Sequence, residues 1–487
     1  MSFILAIDQG TTNTKALLVN REGQPIHRAS TPLRLIHPQP DFVEQDPLAI
    51  LNSVDEVISE CLAFSSDIAA IAISNQRETV LAWDRATGQP IANAINWQCR
   101  RATAICDRLR SAGHEPLLRQ RTGLGIDPLF SAAKIVWLME HIPGLQTRAA
   151  AGEICFGTVD SWLLHHLTGQ HICDHSNAAR TQLFNLHTLT WDPELTTLFN
   201  IPIPSLPQLH TSSGFFGICT HSALRGIPIL AALGDSHAAL AGHSCTTPGT
   251  VKATYGTGSS LMTLTAAPTS RPDSNLSQTL AWSTPSAVNF ALEGNISMTG
   301  SALTWLTNFL ALDSVDDLAT LASVVENSAG IHFVPAMSGL GAPHWDTAAR
   351  GTINGLSHTS TLAHLARAAL DSIAFQIRDV FDAMQRESNL TFSALHADGG
   401  ATRNATLMQL QADILGVPVH RSNTEDLSAL GAAHLAGPAL NWWPSLDTLP
   451  HPTTTFTPTI STGERETRYA AWQHAVAQTR LKPEPVA

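Results

Sequence analysis

The chain of 487 residues lacks an excess of basic side chains and carries little charge of either sign. Lysine and arginine number 28 against 40 aspartates and glutamates, and charged residues make up 14% of the sequence. Proteins that bind nucleic acid generally need a basic face that displaces counterions, so this composition argues against a nucleic-acid partner. The hydrophobic fraction of 44% excludes an intrinsically disordered chain, because disorder requires low hydrophobicity and high charge.

Long hydrophobic runs are also missing. The apolar stretch Ile227–Leu233 is short, whereas a helix that crosses a bilayer needs about 20 apolar residues. Met1–Gly10 has no basic segment and includes Asp8, which argues against a secretory signal peptide. The 7 cysteines form no CxxC motif, and their odd number is typical of reduced thiols. We therefore expect a cytoplasmic protein with no membrane partner.

A Walker A motif is absent as well, which excludes a P-loop NTPase. The N-terminal region instead has short apolar segments joined by polar turns. Phe3–Ile7, Ala16–Val19 and Pro25–Ala29 predict a β-meander with a glycine-threonine turn at its first tip. The dipeptide Asp46-Pro47 then predicts the start of a helix, with Asp as the N-cap and Pro at the first helical position.

A second glycine-threonine turn, Gly256-Thr257-Gly258, follows about half a chain length after the first. Two similar halves imply two similar domains with a cleft between them. The small-residue stretch Gly242–Gly249 interrupts the pattern, so we expect domains of residues 1–243 and 244–487. A third turn, Gly399-Gly400, follows another predicted strand. Glycine lets backbone N–H groups approach an anion and threonine adds hydroxyl donors, so the three turns together indicate a phosphate-binding cleft.

Further motifs accompany these turns in a fixed order over nearly the whole chain. They are Asp8-Gln9-Gly10-Thr11-Thr12, Asn75-Gln76-Arg77-Glu78-Thr79, Asn96-Trp97-Gln98-Cys99-Arg100-Arg101, Phe156-Gly157-Thr158-Val159-Asp160-Ser161-Trp162, Tyr255-Gly256-Thr257-Gly258, Gly339-Leu340-Gly341-Ala342-Pro343-His344-Trp345-Asp346, Asp398-Gly399-Gly400-Ala401 and Ala429-Leu430-Gly431-Ala432-Ala433. In identity and order, these motifs resemble those of the FGGY carbohydrate kinase family.

The resemblance implies an α/β fold of two actin-like (ribonuclease H-like) domains with the active site in the cleft between them. It also implies that the protein binds ATP and Mg²⁺ and phosphorylates a hydroxyl of a small-molecule polyol or sugar. Asp8 would organise the Mg²⁺ shell, and Asp235 would be the catalytic base. The residues implied for nucleotide binding are Gly10, Thr11, Thr12, Lys15, Gly256, Thr257, Gly300, Gly400 and Asn404. Family members further imply a homodimer or homotetramer.

The resemblance also implies an acceptor site close to the catalytic base. Its residues would be Arg77, Glu78, Trp97, Leu129, Asp235, Ser236 and Ser260. Arg77 and Glu78 form a charged pair that can donate hydrogen bonds to a diol and accept them from it. Trp97 offers an apolar wall for the carbon backbone of the acceptor.

Three of these positions depart from the family members that phosphorylate glycerol, which have Tyr, Gln and Phe where this chain has Leu129, Ser236 and Ser260. A three-carbon acceptor would fit this pocket loosely and lose its alignment. We therefore expect a polyol or ketose of four to six carbons, with Ser236, His237 and Ser260 contacting the extra hydroxyls. Phosphorylation of glycerol is the alternative, if other side chains refill the volume. A non-catalytic protein that senses sugar or nucleotide is a further alternative.

Overall fold

The computed structural model describes residues 2–268, 274–337 and 339–480. The strands of the first half are β1 (Phe3–Gln9), β2 (Asn13–Val19), β3 (Pro25–Pro32), β4 (Glu44–Gln45), β5 (Ile68–Asn75), β6 (Leu81–Asp84), β7 (Ala94–Ile95), β8 (Ile154–Gly157), β9 (Ile172–Asp174), β10 (Phe184–Asn185), β11 (Thr190–Trp191), β12 (Gln208–His210), β13 (Ser213–Ile218) and β14 (Pro228–Gly234). Its helices are α1 (Pro47–Phe64), α2 (Thr103–Ser111), α3 (Glu115–Thr122), α4 (Ser131–His141), α5 (Leu145–Ala150), α6 (Val159–Thr168), α7 (His175–Ala178), α8 (Pro193–Leu198) and α9 (Asp235–Gly242).

The second half has the same mixture of strands and helices. Its strands are β15 (Val251–Tyr255), β16 (Ser259–Thr265), β17 (Ser277–Thr284), β18 (Ala287–Ile296), β19 (His332–Val334), β20 (Thr352–Asn354), β21 (Leu395–Asp398), β22 (Val419–Ser422) and β23 (Thr453–Phe456). Its helices are α10 (Gly300–Phe309), α11 (Val315–Ser323), α12 (Leu362–Ser388), α13 (Ala405–Leu415), α14 (Leu427–Ala436) and α15 (Thr462–Arg480).

Each half is built around a large mixed sheet, and the two sheets repeat one topology. The first sheet has the order β13-β14-β5-β1-β2-β3, and the second has the order β17-β18-β16-β15-β21-β22-β23. In both, an antiparallel meander is followed by parallel strands added beside its first strand: β5 and β14 in the first sheet, β21 and β22 in the second. This repeat confirms the predicted α/β fold of two actin-like halves. The boundary between residues 243 and 244 lies between α9 and β15 and stays a prediction.

The predicted N-terminal elements form for the expected local reasons. Strand β1 is buried along its whole length and pairs antiparallel with β2, with Ile4 opposite Val19. Helix α1 begins at Pro47, and the Asp46 side chain accepts a hydrogen bond of 2.9 Å from the backbone N–H of Leu48. This cap satisfies one of the unpaired N–H groups at the helix start.

The hydrophobic core does not stop at the border between the halves. One cluster of buried residues combines Ile4 of β1 and Leu233 of β14 with Met262 of β16 and Leu430 of α14. Helix α14 of the second half thus packs on the sheet of the first half and against α9. The two halves therefore share apolar surface that neither could bury alone.

Two further expectations from the sequence concern membrane-spanning helices and the state of the cysteines. In the described part, no helix is long and apolar enough to cross a membrane. The seven cysteines are free and buried. They therefore contribute to the interior as small apolar side chains.

Candidate active site

Parallel strands bring two carboxylates of the first half together. Asp8 near the end of β1 pairs in register with Ser74 of β5, and Gly234 at the end of β14 pairs with Asn75. Asp235 follows Gly234 directly and begins α9. The carboxyl ends of neighbouring parallel strands meet at one edge of the sheet, where ligands of such folds bind.

Asp8 is buried, and its carboxylate accepts a hydrogen bond of 2.8 Å from Ser74 Oγ. Burial raises the pKa of Asp8 to about 6, the charge of Lys15 opposes this rise, and the negative charge of Asp235 adds to it. A divalent cation beside Asp8 would relieve both the burial cost and the repulsion between the carboxylates. The residues therefore fit a Mg²⁺ ion, which binds one or two carboxylates and takes its other ligands from water and phosphate. Among the described residues, no group of three or more His, Cys, Asp or Glu side chains could hold a metal.

Asp235 is the more accessible of the two carboxylates, with 38% of its side chain exposed. Its Oδ1 accepts a hydrogen bond of 2.6 Å from the backbone N–H of Ser236 and lies 3.3 Å from Nε of Arg77. Burial raises the pKa of Asp235 above its ordinary value, although Arg77 and the Ser236 N–H oppose the rise. Gly234 is the N-cap residue of α9, so Asp235 does not act as the cap. Its carboxylate is held in place but still open to the cleft.

Arg77 joins the two halves through a buried ion pair with Glu293 of β18. The distance from Arg77 Nη2 to Glu293 Oε1 is 2.7 Å, and the two side chains are 9% and 0% exposed. Arg180 lies on the other side of Glu293, with its Nη1 2.8 Å from Oε2, and its Nε donates to Glu78. Burial alone would raise the pKa of Glu293, but Arg180 and Arg77 outweigh it and hold that pKa below its ordinary value.

The Nη1 of Arg77 is buried and has no hydrogen-bond partner among the described residues. A buried guanidinium nitrogen without a partner is costly, so it marks a place where a ligand oxygen can bind. Glu293 and Arg180 were missed in the sequence, although a glutamate after Ala291 and Leu292 interrupts an apolar strand segment. Their ion-pair partners lie more than a hundred residues away in the chain, and no local pattern reveals such a pairing.

Glu78 and Leu129 lie beside this network because a buried lysine holds both. Lys134 Nζ donates to the backbone carbonyl of Leu129 at 2.5 Å and to that of Glu78 at 3.2 Å. Burial lowers the pKa of Lys134 to about 8. Glu78 has φ = +60°, a backbone conformation that is uncommon for residues other than glycine. Strain of this kind often accompanies functional sites.

The other predicted acceptor residues contact the same region. Trp97 Nε1 donates to Thr11 Oγ1 at 2.8 Å, which ties the expected apolar wall to the first glycine-threonine turn. Ser260 Oγ donates to Glu293 Oε1 at 3.0 Å, so it shares the carboxylate that binds Arg77. His237 is fully buried, and its Nε2 lies 3.4 Å from Thr279 Oγ1. The expectation that His237 contacts acceptor hydroxyls stays a prediction: its side chain is fully buried, and its Nδ1 has no hydrogen-bond partner among the described residues.

The glycine turns of the second half lie side by side. A Cβ atom on Gly399, whose φ is +96°, would lie 2.4 Å from the carbonyl oxygen of Tyr255, so the third turn touches the strand that leads into Gly256. Gly256, Thr257 and Gly400 are exposed. A Cβ on Gly400 would meet only Arg403 Nη2, at 3.8 Å, within 4 Å. These turns therefore present open backbone to the cleft.

Three predicted nucleotide contacts have structural partners of their own. The N–H of Gly300 donates to the carbonyl of Gly256 at 3.0 Å, so it is not free to bind a phosphate. Asn404 Oδ1 caps α13 by accepting from the backbone N–H of Leu407 at 3.0 Å. Lys15 Nζ pairs with Asp426 at 2.6 Å, across the junction of the halves.

Gly10 and Thr12 belong to the first turn. The N–H of Gly10 donates to the carbonyl of Asn13 at 3.0 Å, which closes the turn. Thr12 is exposed, and its hydroxyl accepts from the Asn13 amide at 3.2 Å. The hydroxyl proton of Thr12 is therefore available as a donor, whereas the N–H of Gly10 is used within the turn.

The fold and this cleft define a two-domain α/β protein of the actin-like ATPase class. Family models agree over most of the chain: the N-terminal domain of the FGGY family of carbohydrate kinases matches residues 3–242, and the C-terminal domain matches residues 251–440. The chain belongs to the FGGY family of carbohydrate kinases. It is accordingly a phosphotransferase that uses ATP and acts on an alcohol group of a polyol or sugar, as the motifs predict.

The chain is similar to kinases that are named for different acceptors. It is 46% identical to a glycerol kinase of Janthinobacterium sp. (strain Marseille), over 98% of this chain and 99% of that protein. It is 45% identical to an apulose kinase of Pectobacterium atrosepticum, over 99% of both chains. The crystal structure of Plasmodium falciparum glycerol kinase with ADP superposes with a TM-score of 0.92 at 30% identity, covering 99% of both chains.

Proposed function

We propose that the protein transfers the γ-phosphoryl group of ATP, with Mg²⁺, to a hydroxyl of a polyol or ketose of four to six carbons. The observation that carries this proposal is the pairing of an accessible carboxylate, Asp235, with the unpartnered buried Nη1 of Arg77. One group can accept the proton of an attacking hydroxyl while the other donates a hydrogen bond to an acceptor oxygen.

Asp235 is the proposed catalytic base. The Ser236 N–H and Arg77 Nε hold one of its oxygens, so the carboxylate has a defined orientation before the acceptor binds. Phosphoryl transfer asks the protein mainly for alignment and charge stabilisation, and both are available at this point of the cleft. Glu78, held by Arg180, accepts a hydrogen bond from a second hydroxyl of the acceptor in this proposal.

The proposed nucleotide site combines the three turns. In this proposal Thr11 and Thr12 of the first half and Gly256, Thr257 and the Gly399-Gly400 turn of the second half contact the same nucleotide. Asp8 would hold the Mg²⁺ ion, which neutralises charge on the phosphates when it is bound. Lys15 reaches a phosphate only if its ion pair with Asp426 opens, while Gly300 and Asn404 support the site by positioning α10 and α13.

The size of the acceptor is inferred from Ser260, Leu129 and Ser236. Ser260 is linked to Arg77 through Glu293, and Leu129 is linked to Glu78 through Lys134. The two positions with smaller side chains are therefore linked to the same charged network, and we infer that both changes enlarge the acceptor site. Relatives of nearly equal identity are a glycerol kinase and an apulose kinase, so overall similarity does not choose the acceptor.

The test is coupled ADP release by the purified protein with Mg-ATP and a panel of acceptors. The panel contains glycerol, erythritol, the threitols, ribitol, xylitol, the arabitols, ribulose and xylulose. We expect a compound of four to six carbons to exceed glycerol at least about tenfold in kcat/KM, which corresponds to about 1.4 kcal/mol. A panel in which glycerol has the highest kcat/KM would contradict the proposed acceptor and identify the protein as a glycerol kinase.

A variant restores the glycerol-type side chains. Leu129→Tyr, Ser236→Gln and Ser260→Phe together should shift the ratio of kcat/KM values toward glycerol by about tenfold or more. Asp107→Asn, on an exposed part of α2, is the control variant and should leave the ratio of kcat/KM values between acceptors unchanged. A triple variant with unchanged preference would show that these positions do not set the acceptor.

The proposal includes the assembly and location that the family resemblance implies. We infer domains of residues 1–243 and 244–487 in a cytoplasmic homodimer or homotetramer. Sedimentation of the purified protein at several concentrations measures the assembly directly. A monomer at micromolar concentration would contradict this part alone and leave the catalytic proposal standing.

A further inference from the structure

A cavity of about 230 Å³ lies where α9 meets the second sheet, outside the cleft described above. Four histidines from four separate segments line it: His243 after α9, His396 in β21, His420 in β22 and His451 before β23. We call it the histidine cavity. The proposed kinase chemistry uses none of these side chains.

The sheet itself brings the imidazoles together. His396 and His420 are partners in the parallel register of β21 and β22, so their side chains lie on one face of the sheet. Their ring centroids are 5.3 Å apart, and the centroid of His243 is 5.8 Å from that of His396. Three rings from both halves of the chain therefore converge on one small space.

The rings keep nitrogens available for a ligand. His243 uses Nε2 to contact Asp398 Oδ2 at 2.7 Å, and His420 uses Nδ1 to contact Thr455 Oγ1 at 2.9 Å. His396 makes ring contacts only, and neither of its nitrogens has a hydrogen-bond partner in the described part of the chain. His396 and His420 can therefore each donate a hydrogen bond to a ligand, because the tautomer adapts, whereas neutral His243 keeps its proton on Nε2 for Asp398.

The rest of the lining favours a negatively charged ligand. Thr424 and Thr453 add hydroxyl groups, the Ser422 hydroxyl donates to the backbone carbonyl of Thr424 at 2.9 Å, and the described lining contains no carboxylate. Leu427 also lines the cavity and is the first residue of α14, whose positive dipole end favours anions. A metal is the less suitable occupant, since no set of three such ligands in the described residues is arranged to hold one. A ligand of a few carbons fits, because a cavity of roughly 150 Å³ already holds benzene.

The charges around His396 determine how binding depends on pH. Burial, together with the neighbouring His243, His420 and His451, lowers the pKa of His396 to about 3. Across the register from His396 lies Lys252 of β15, and Asp398 follows two residues later in β21. An anion in the cavity would raise the pKa of the imidazoles, so its binding is coupled to proton uptake.

We propose that the histidine cavity binds the phosphate group of a small phosphorylated compound, with His396 and His420 as its main contacts. This site is separate from the catalytic cleft and does not depend on the proposed acceptor. It is nevertheless connected to the cleft, because His243 follows the helix that begins at Asp235 and contacts Asp398, the residue before Gly399.

The test is titration calorimetry with inorganic phosphate. The protein is first saturated with Mg²⁺ and a non-hydrolysable ATP analogue, so that the phosphate turns of the cleft are filled. We expect one phosphate site, displaced by ethyl phosphate, with affinity about tenfold higher at pH 6 than at pH 8. The apparent enthalpy should change between buffers of different ionisation enthalpy. Because phosphate itself titrates near neutral pH, the part of this change that His396→Asn removes measures the proton uptake by the imidazoles.

Two variants and one control keep the result interpretable. His396→Asn and, separately, His420→Asn should each weaken phosphate binding about tenfold or more, while the exposed His358→Asn leaves it unchanged. Circular dichroism checks that each variant is folded, and His420→Asn provides the test if His396→Asn does not fold. Loss of all phosphate binding once the nucleotide analogue is present, wild-type affinity in both histidine variants, or tight Zn²⁺ binding without phosphate binding would overturn the proposal.

Discussion

At the scale of single residues, the cleft is a set of buried charges whose balance depends on a ligand. Burial raises the pKa values of Asp8 and Asp235. The charge of Asp235 adds to the rise at Asp8, and the charge of Glu78 adds to the rise at Asp235. Arg77 and Arg180 balance Glu293 and Glu78, but one guanidinium nitrogen of Arg77 has no partner in the described structure. The free protein therefore bears an electrostatic cost that substrate and Mg²⁺ are expected to relieve.

Asp8→Asn should stabilise the free protein and remove its activity. The pKa of Asp8 rises from 3.8 to about 6, which corresponds to at most about 3 kcal/mol of lost stability when the group is ionised. Since the folded pKa is raised, the cost appears as the pH rises from about 4 to 6. Denaturant unfolding should thus show a gain of about 1–3 kcal/mol for the variant above pH 6 and no gain below pH 4.

Two comparisons make the Asp8 result specific. Asp107→Asn on the exposed face of α2 should change stability by less than about 0.5 kcal/mol at either pH. Added Mg-ATP should stabilise the wild-type protein more than the Asp8→Asn variant, which lacks the charge proposed to bind Mg²⁺. Equal stability of wild type and variant at pH 8 would contradict the assigned burial cost.

Asp235→Asn should lower kcat by about 10²- to 10⁴-fold, the usual contribution of a general base. The side chain keeps its size and its contact with the Ser236 N–H, so the acceptor KM and the nucleotide affinity should change little. Because the pKa of Asp235 is raised, the wild-type kcat/KM should decrease as the pH is lowered and this carboxylate becomes protonated. A variant with near wild-type kcat would show that Asp235 is not the base.

Glu293→Gln tests a positioning role, since Glu293 holds Arg77 by its carboxylate. Glutamine preserves the shape but removes the charge that both arginines face, which should raise the acceptor KM and lower kcat while nucleotide affinity is kept. Removing one partner of a buried ion pair lowers the free energy of unfolding by roughly 3–5 kcal/mol, and we expect a smaller loss for Glu293→Gln because glutamine has nearly the same shape. The exposed pair Arg108–Glu140 gives the control, because Glu140→Gln should cost less than about 1 kcal/mol.

At the scale of elements, glycines set how closely helices and turns approach one another. A Cβ on Gly431 of α14 would lie 1.8 Å from the carbonyl oxygen of Ala238 in α9. Helix α9 begins at Asp235, so the contact with α14 also fixes the direction of the helix that positions the proposed base. A Cβ on Gly300 would likewise lie 2.5 Å from the carbonyl oxygen of Gly256, which joins α10 to the second turn.

Gly431→Ala should destabilise the protein and reduce its activity together, because backbone atoms of α9 must move. Overpacking of this kind usually costs about 1–3 kcal/mol. Gly463→Ala in α15 is the matched control: no atom lies within 4 Å of its Cβ, so it should add up to about 1 kcal/mol of stability through chain entropy. Thermal unfolding and ADP release measure both; a Gly431→Ala variant as stable as Gly463→Ala would contradict the close approach.

Part of this element structure follows from the sequence. The first three strands and the start of α1 were predicted within a few residues, because apolar periodicity, an Asp N-cap and a following Pro act locally. The structural contacts of Gly300 and Asn404 were not predicted. A glycine or asparagine in a turn has the same local sequence pattern whether it contacts a phosphate or the backbone of a neighbouring segment. Only packing shows that Gly300 donates to Gly256.

At the scale of the whole molecule, the two actin-like halves are joined by apolar and charged contacts. Helix α14 packs on the first sheet, and Arg77–Glu293, Lys15–Asp426 and Arg28–Asp426 connect residues from opposite halves. Such a shared core favours unfolding in one step.

We expect the halves to unfold together in denaturant. Hydrogen exchange of peptides from β5 and from β21, measured at increasing urea, should report one common midpoint, because each sheet relies on surface covered by the other half. Residues 1–243 alone would expose the face that α14 covers and should not reproduce that midpoint. Exchange of β21 at distinctly lower urea than β5 would show that the domains are independent.

The sequence by itself determined the duplicated α/β architecture, the three glycine turns and the family, because these depend on short periodic patterns that repeat along the chain. It also indicated Asp8, Arg77, Glu78 and Asp235 as candidates. The tertiary structure alone decided the partners of those residues: Glu293 and Arg180 beside Arg77, Asp426 beside Lys15, and the histidines around one cavity. Ion pairs and cavities form between segments that are distant in sequence, and their geometry depends on how the two sheets and α14 pack.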